Sequence, residues 1–172
     1  MSEVAVISTD YGDMAVELWP EVAPNTVANF VNLANTEFYD GTAFHRVVKG
    51  FVIQGGDPLS KDPEQAHRWG TGDPGYKILA EFSNRPHVRG VMSMARGSDE
   101  DSAGCQFFIC LDTKPELDGK YTCFGQLIAG DEVLEIISQV ETERHNGGPK
   151  TLPVERVGIS AIRIYDREQI EF

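Results

Sequence analysis

The chain has 172 residues, a net charge of −12, 41% hydrophobic and 24% charged residues, the composition of an ordinary water-soluble globular protein that at this length buries roughly 70% of its unfolded surface. The acidic balance and the lack of any Lys/Arg cluster longer than two residues exclude nucleic acid and anionic membrane as main partners, since both demand a basic face. No apolar run approaches the ~20 residues that span a bilayer, and the N-terminus, with Glu3, Asp10, Asp13 and Glu17, carries no signal-peptide apolar core.

In chain order, "EVAVISTDYGDMAVELW" holds two alternating segments around Asp10-Tyr11-Gly12-Asp13 and predicts a β-hairpin. In "EVAPNTVANFVNLANTEFYDG", Pro24 suits a first helical turn and Val27, Phe30, Val31 and Ala34 recur at helical spacing, giving a helix that ends before Gly41. "FHRVVKGFVIQGGDP" reads as a second hairpin, and Gly55 to Gly75, rich in Gly, Pro and charge, as a long loop. Short strands follow at "GVMSMAR", "QFFICL" and "YTCFGQL"; "DEVLEIISQV" is a second helix with Asp131 and Glu132 at its positive end, and "VERVGISAIRIYD" a final strand. Many short strands, two helices and no βαβ rhythm point to an antiparallel barrel with helices over its open ends.

Several familiar chemistries are absent. "GTGDPG" (Gly70 to Gly75) matches G-x-G-x-x-G in letters only, because Pro74 falls inside it, a polar loop precedes it and no helix follows to receive a pyrophosphate. His45, His67, His87 and His145 lack metal-ligand spacing, and Cys105, Cys110 and Cys123 form no C-x-x-C. The odd number of cysteines among apolar neighbours reads as free buried thiols in a reducing, cytoplasmic compartment. No G-x-S-x-G elbow offers a nucleophile, so no metal, cofactor or covalent agent is expected.

The informative residues are polar ones inside apolar strands. In "CQFFIC", alternation puts Gln106 and Phe108 on one face and Phe107 and Ile109 on the other, so one phenylalanine is core while its neighbour stands beside an amide. In the second hairpin, a Lys49-Gly50 loop opposes Arg46 to Ile53. A three-residue loop, Lys49-Gly50-Phe51, opposes Arg46 to Gln54 and gathers the polar groups on one face. These two residues alone leave two readings open, a guanidinium held for function and an arginine tied into a surface ion pair.

The blocks "FHRVVKGFVIQGGDP", "GVMSMAR", "AGCQFFICL" and "ELDGKYTCFGQL" occur in an order, across about Glu3 to Tyr165, that resembles the cyclophilins, the peptidyl-prolyl cis-trans isomerases, in their compact bacterial-type form. The resemblance implies one domain over residues 1–172, a closed eight-stranded antiparallel β-barrel capped by two α-helices, and a short polar tail at about 166–172. It implies a cofactor-independent isomerase of Xaa-Pro bonds, monomeric and assisting protein folding, whose partners are proline-containing peptides and unfolded or flexible proteins. Arg46 then matches the catalytic arginine and Gln54 its support. Phe51, Val52, Phe108, Leu117 and Tyr121 match the proline pocket, and Ala95, Arg96 and Gln106 the peptide groove. Glu116 stands at the inhibitor-pocket rim where vertebrate relatives carry tryptophan, which implies weak cyclosporin binding. Val52 replaces the usual methionine, Tyr121 a frequent histidine and Cys105 a common serine. A proline-binding module with little turnover is the rival, since a fold alone does not fix a function.

Overall fold

The computed structural model describes residues 2–172. Ten strands form: β1 (Glu3–Thr9), β2 (Gly12–Leu18), β3 (Arg46–Val48), β4 (Val52–Gly55), β5 (Val91–Met94), β6 (Phe107–Cys110), β7 (Cys123–Ala129), β8 (Thr142–Arg144), β9 (Lys150–Pro153) and β10 (Ile159–Asp166). Eight of them make one antiparallel sheet in the order β10-β1-β2-β7-β5-β6-β4-β3. The remaining pair, β8 and β9, is a separate hairpin that its short, polar, mostly exposed sequence did not announce.

The sheet curls strongly but is not the closed barrel expected. Its end strands β10 and β3 share no ladder. The seam between them is crossed by one isolated bridge, Ala43 to Gly158, with the Ile159 amide donating to Thr42 O at 2.8 Å and the Phe44 amide to Val157 O at 3.0 Å. The segment that meets β10 thus ends before β3 begins at Arg46, and the chain turns away between them. The result is a curled half-barrel with two edges.

The inner face of the curl is filled by aromatic rings. Phe30 lies 5.3 Å from both Tyr39 and Phe124, and Phe107 stands edge-on to Phe30, Tyr39 and Phe44. Helix α1 (Pro24–Asn35) supplies Phe30 with Val27, Leu33 and Ala34, its apolar stripe. Pro24 opens it as expected, but Ala23 offers no side-chain cap. The Glu81 carboxylate fills that role from a distant loop, accepting from the Thr26 amide at 2.6 Å and the Asn25 amide at 3.3 Å. Helix α2 (Asp131–Ser138) buries Val133, Leu134 and Ile137 against the same core.

The loop expected from Gly55 to Gly75 is more ordered than its composition suggests. It contains two 3₁₀ segments, Pro58–Lys61 and Pro63–Arg68, each opened by an aspartate followed by proline. Asp57 accepts from the Leu59 amide at 2.8 Å and, across the loop, from the amides of Gly70 at 2.5 Å and Gly72 at 3.3 Å. The C-terminal residues also pack back, with the Arg167 amide donating to Ser2 O at 2.9 Å. All three cysteines are buried and free, and burial pushes the thiols of Cys105 and Cys110 up to about 12. Among the described residues no helix is long and apolar enough to cross a membrane.

Candidate active site

The β3–β4 hairpin adopts the three-residue loop, pairing Val48 with Val52, Val47 with Ile53 and Arg46 with Gln54. Gly50 takes φ +72°, the left-handed conformation such a loop needs and glycine enters cheaply. Val47 and Ile53 point into the core, so Arg46 and Gln54 share the opposite, outer face. There Arg46 Nη1 donates to Gln54 Oε1 at 3.2 Å, Gln54 Nε2 to Gln106 Oε1 at 3.1 Å, and Gln106 Nε2 to Gly70 O and Gly72 O at 3.1 and 2.9 Å. The backbone carbonyls at the end of this chain fix the orientation of both amides, and so which atom of Gln54 faces the guanidinium.

Strand β6 lies beside β4 with Phe108 opposite Gln54, and it splits its phenylalanines as alternation requires. Phe107 is core. Phe108 instead gathers with Val52, Cys110 and Leu117, flanked by Phe51, Ala95 and Tyr121, in a second apolar cluster on the outer face. Phe51 sits in the turn rather than in a strand. The Tyr121 ring meets Phe108 edge-on at 5.6 Å, and the Arg96 guanidinium lies 4.7 Å over Tyr121 while its Nε and Nη2 donate to Lys120 O.

These groups enclose a cavity of about 370 Å³, with Phe51, Val52, Ala95, Phe108, Leu117 and Tyr121 as its apolar side and Arg46, Gln54 and Arg96 as its polar side. A second hollow of about 280 Å³ continues from it past Gln54, Ala95 and Arg96 to Gln106 and Gly72. Burial lowers the pKa of Arg46 from its ordinary value, with Tyr121 opposing. The ordinary value is so high that the guanidinium remains a cation. Ten of the eleven residues singled out from the sequence line one hollow or the other; Glu116 does not, being exposed on the 3₁₀ turn Pro115–Leu117 with only its neighbour Leu117 facing inward.

Four further residues line the larger cavity: His45, Trp69, Gly70 and His145. Trp69 ends the second 3₁₀ segment and His145 belongs to the β8–β9 hairpin, two elements the sequence reading did not resolve. They are joined, since His145 Nε2 lies 2.9 Å from Ala66 O and Asn146 Nδ2 donates to His67 O at 2.8 Å. His45 is 3% exposed and neither ring nitrogen has a hydrogen-bond partner among the described residues. Burial depresses its pKa to about 4; Asp57 and the nearby Ala43 backbone oppose the effect, and His145 and Arg46 add to it. Behind the cavity His87, also buried, stacks on Phe108 at 6.2 Å, its Nδ1 3.0 Å from Asp118 Oδ1 and its Nε2 2.9 Å from Ser93 Oγ.

An apolar slot beside a fixed, partly buried cation is a site for a neutral, compact group that needs a hydrogen bond. The family model described as cyclophilin type peptidyl-prolyl cis-trans isomerase/CLD matches residues 4–163. Among curated relatives, a peptidyl-prolyl cis-trans isomerase of Synechococcus elongatus is 45% identical over 133 residues, covering 77% of this chain and 85% of its own. Peptidyl-prolyl cis-trans isomerase B of Bacillus subtilis is 46% identical over 131 residues, covering 75% and 85%. The crystal structure of a Cryptosporidium parvum cyclophilin type peptidyl-prolyl cis-trans isomerase, obtained in the presence of the dipeptide Ala-Pro, superposes with a TM-score of 0.84 at 32% identity over 95% of this chain and 99% of that one. The chain therefore belongs to the cyclophilin-type peptidyl-prolyl cis-trans isomerases, and it is an isomerase.

Proposed function

We propose that the protein accelerates rotation about Xaa-Pro bonds in flexible or unfolded protein segments, with the proline ring in the slot of Phe51, Val52, Phe108 and Leu117 and Arg46 as the catalytic donor. Amide resonance opposes the rotation by ~18–20 kcal/mol, so the uncatalysed reaction takes tens to hundreds of seconds. In the twisted transition state the prolyl nitrogen pyramidalises and regains its lone pair. An Arg46 N–H aimed at that nitrogen binds the twisted form more strongly than either planar form, which is what catalysis requires. The apolar wall lowers the local dielectric and strengthens the bond. Bond rotation makes and breaks no covalent bond, so these side chains suffice.

The observation that carries this reading is the Arg46–Gln54 contact of 3.2 Å at the edge of an apolar slot. The guanidinium is anchored to a neutral amide, which aims it without neutralising it. Exchange NMR or a protease-coupled assay on an Xaa-Pro peptide tests it. Arg46→Ala is expected to lower kcat/KM by about 100-fold or more, on the order of 3 kcal/mol of transition-state stabilisation, with Kd for the peptide changed far less. Turnover undiminished by that change sinks the mechanism, and binding without turnover in the unmodified protein favours a proline-binding module.

The exposed Glu116 leaves the slot without the aromatic rim expected of tight cyclosporin binders. Inhibition is expected only at micromolar cyclosporin or above, with Glu116→Trp tightening it at least tenfold; submicromolar inhibition of the unmodified protein would refute this.

A further inference from the structure

The charge lining the cavity runs against the charge of the molecule. The chain carries −12 overall, yet the ionisable side chains facing the larger cavity are Arg46, Arg96, His45 and His145, with the Tyr121 phenol, and no carboxylate among the described residues lines it. The nearby acids are otherwise engaged or turned away. Asp57 is fully buried and takes the amides of Leu59, Gly70 and Gly72, while Glu116 is exposed outside. The second hollow adds Lys77 opposite a single acid, Asp73. His45 contributes unpaired ring nitrogens in a buried position, and a buried polar group without a partner is costly until a ligand supplies one. Arg46 spends one N–H on Gln54 and has four more donors in its fork. Concave sites lined by one sign of charge focus the potential of that sign.

We infer that the site prefers prolyl segments carrying a carboxylate, Asp or Glu, directly beside the proline. This rests on the isomerase reading above and adds a substrate class to it. Two electrostatic effects compete. The net −12 repels an acidic peptide at long range, but that repulsion is screened beyond a Debye length of ~10 Å at 0.1 M salt. The guanidiniums of Arg46 and Arg96 act inside that distance and on a partly desolvated ligand, so local attraction wins.

The test uses four short Xaa-Pro peptides that differ only in Glu or Gln immediately before or immediately after the proline. Both kcat/KM and Kd from NMR titration are measured, at about 20 mM and 500 mM salt. In at least one position the Glu peptide is expected to exceed the Gln peptide by about three- to tenfold at low salt, and salt is expected to shrink that ratio. His145→Glu, which places a carboxylate in the wall, is expected to bring the ratio to one or below, with the amide spectrum showing that the variant folds. Glu and Gln peptides equal in both positions overturn the inference. So does a ratio that rises with salt, the mark of long-range repulsion. Turnover of the Gln peptides that survives Arg46→Ala defeats the isomerase mechanism instead, and the titrations still decide the preference for acid.

Discussion

Phe108 forms the floor of the slot in front and the lid of a polar network behind. His87 stacks on it at 6.2 Å between Asp118 and Ser93, so a charge placed on the imidazole would sit in contact with the aromatic floor. Burial lowers the pKa of His87, and that of His45 falls to about 4. Both imidazoles are therefore harder to protonate in the folded protein than in the unfolded chain, His87 despite the opposing Asp118. Their contribution to stability is complete above the unfolded value of about 6.5 and is lost as the pH falls toward the folded values. Urea unfolding at pH 7 and pH 4.5 is expected to show the unmodified protein losing on the order of 2 kcal/mol more than His45→Leu across that interval. An equal loss in both proteins would remove His45 as a source of acid sensitivity.

At the scale of elements, the site is a β-hairpin held by a loop. The Asp57 carboxylate fastens the Gly70–Gly72 strap, and the strap's carbonyls orient Gln106, which orients Gln54, which aims Arg46. A Cβ at Gly72 would collide with that carboxylate, so the strap closes only on glycine. Asp57→Ala is expected to cost about 2–4 kcal/mol by orphaning buried amides and to lower kcat/KM several-fold with Arg46 untouched; Asp57→Asn, keeping one acceptor, should recover part of both. Full activity in Asp57→Ala would show that the strap does not position the site. The sequence did not fix the hairpin register between the two loop lengths, but it singled out the one that gathers Arg46 beside Gln54, which the structure adopts. Phe108 was separable from Phe107 because strand alternation is strict. Trp69 and His145 were not legible, since each is placed by contacts between two irregular segments remote in sequence, and such contacts leave no periodic mark. His45 was hidden by its neighbour: it precedes β3, where the backbone turns and alternation counted from Arg46 no longer applies. The closed barrel failed for the same reason, as strand patterns specify faces but not whether the last edge meets the first.

At the scale of the whole molecule, the first strand is paired with the last, Glu3 opposite Asp166 and Ile7 opposite Ile162. Removing residues 159–172 would strip β1 of one partner and leave Val4 to Ile7 as an apolar sheet edge, the kind of surface that recruits another chain. Such a truncation is expected to appear in the insoluble fraction, and a soluble, monodisperse product on gel filtration would contradict this. The same pairing has a consequence for biosynthesis. A ribosome releases β10, the second partner of β1, only after every other strand of the sheet, and β2 waits for β7 while residues 19–122 are made. The nascent protein therefore carries its first hairpin long before either edge of it is covered, whereas β3 and β4, which hold Arg46 and Gln54, wait only for β6.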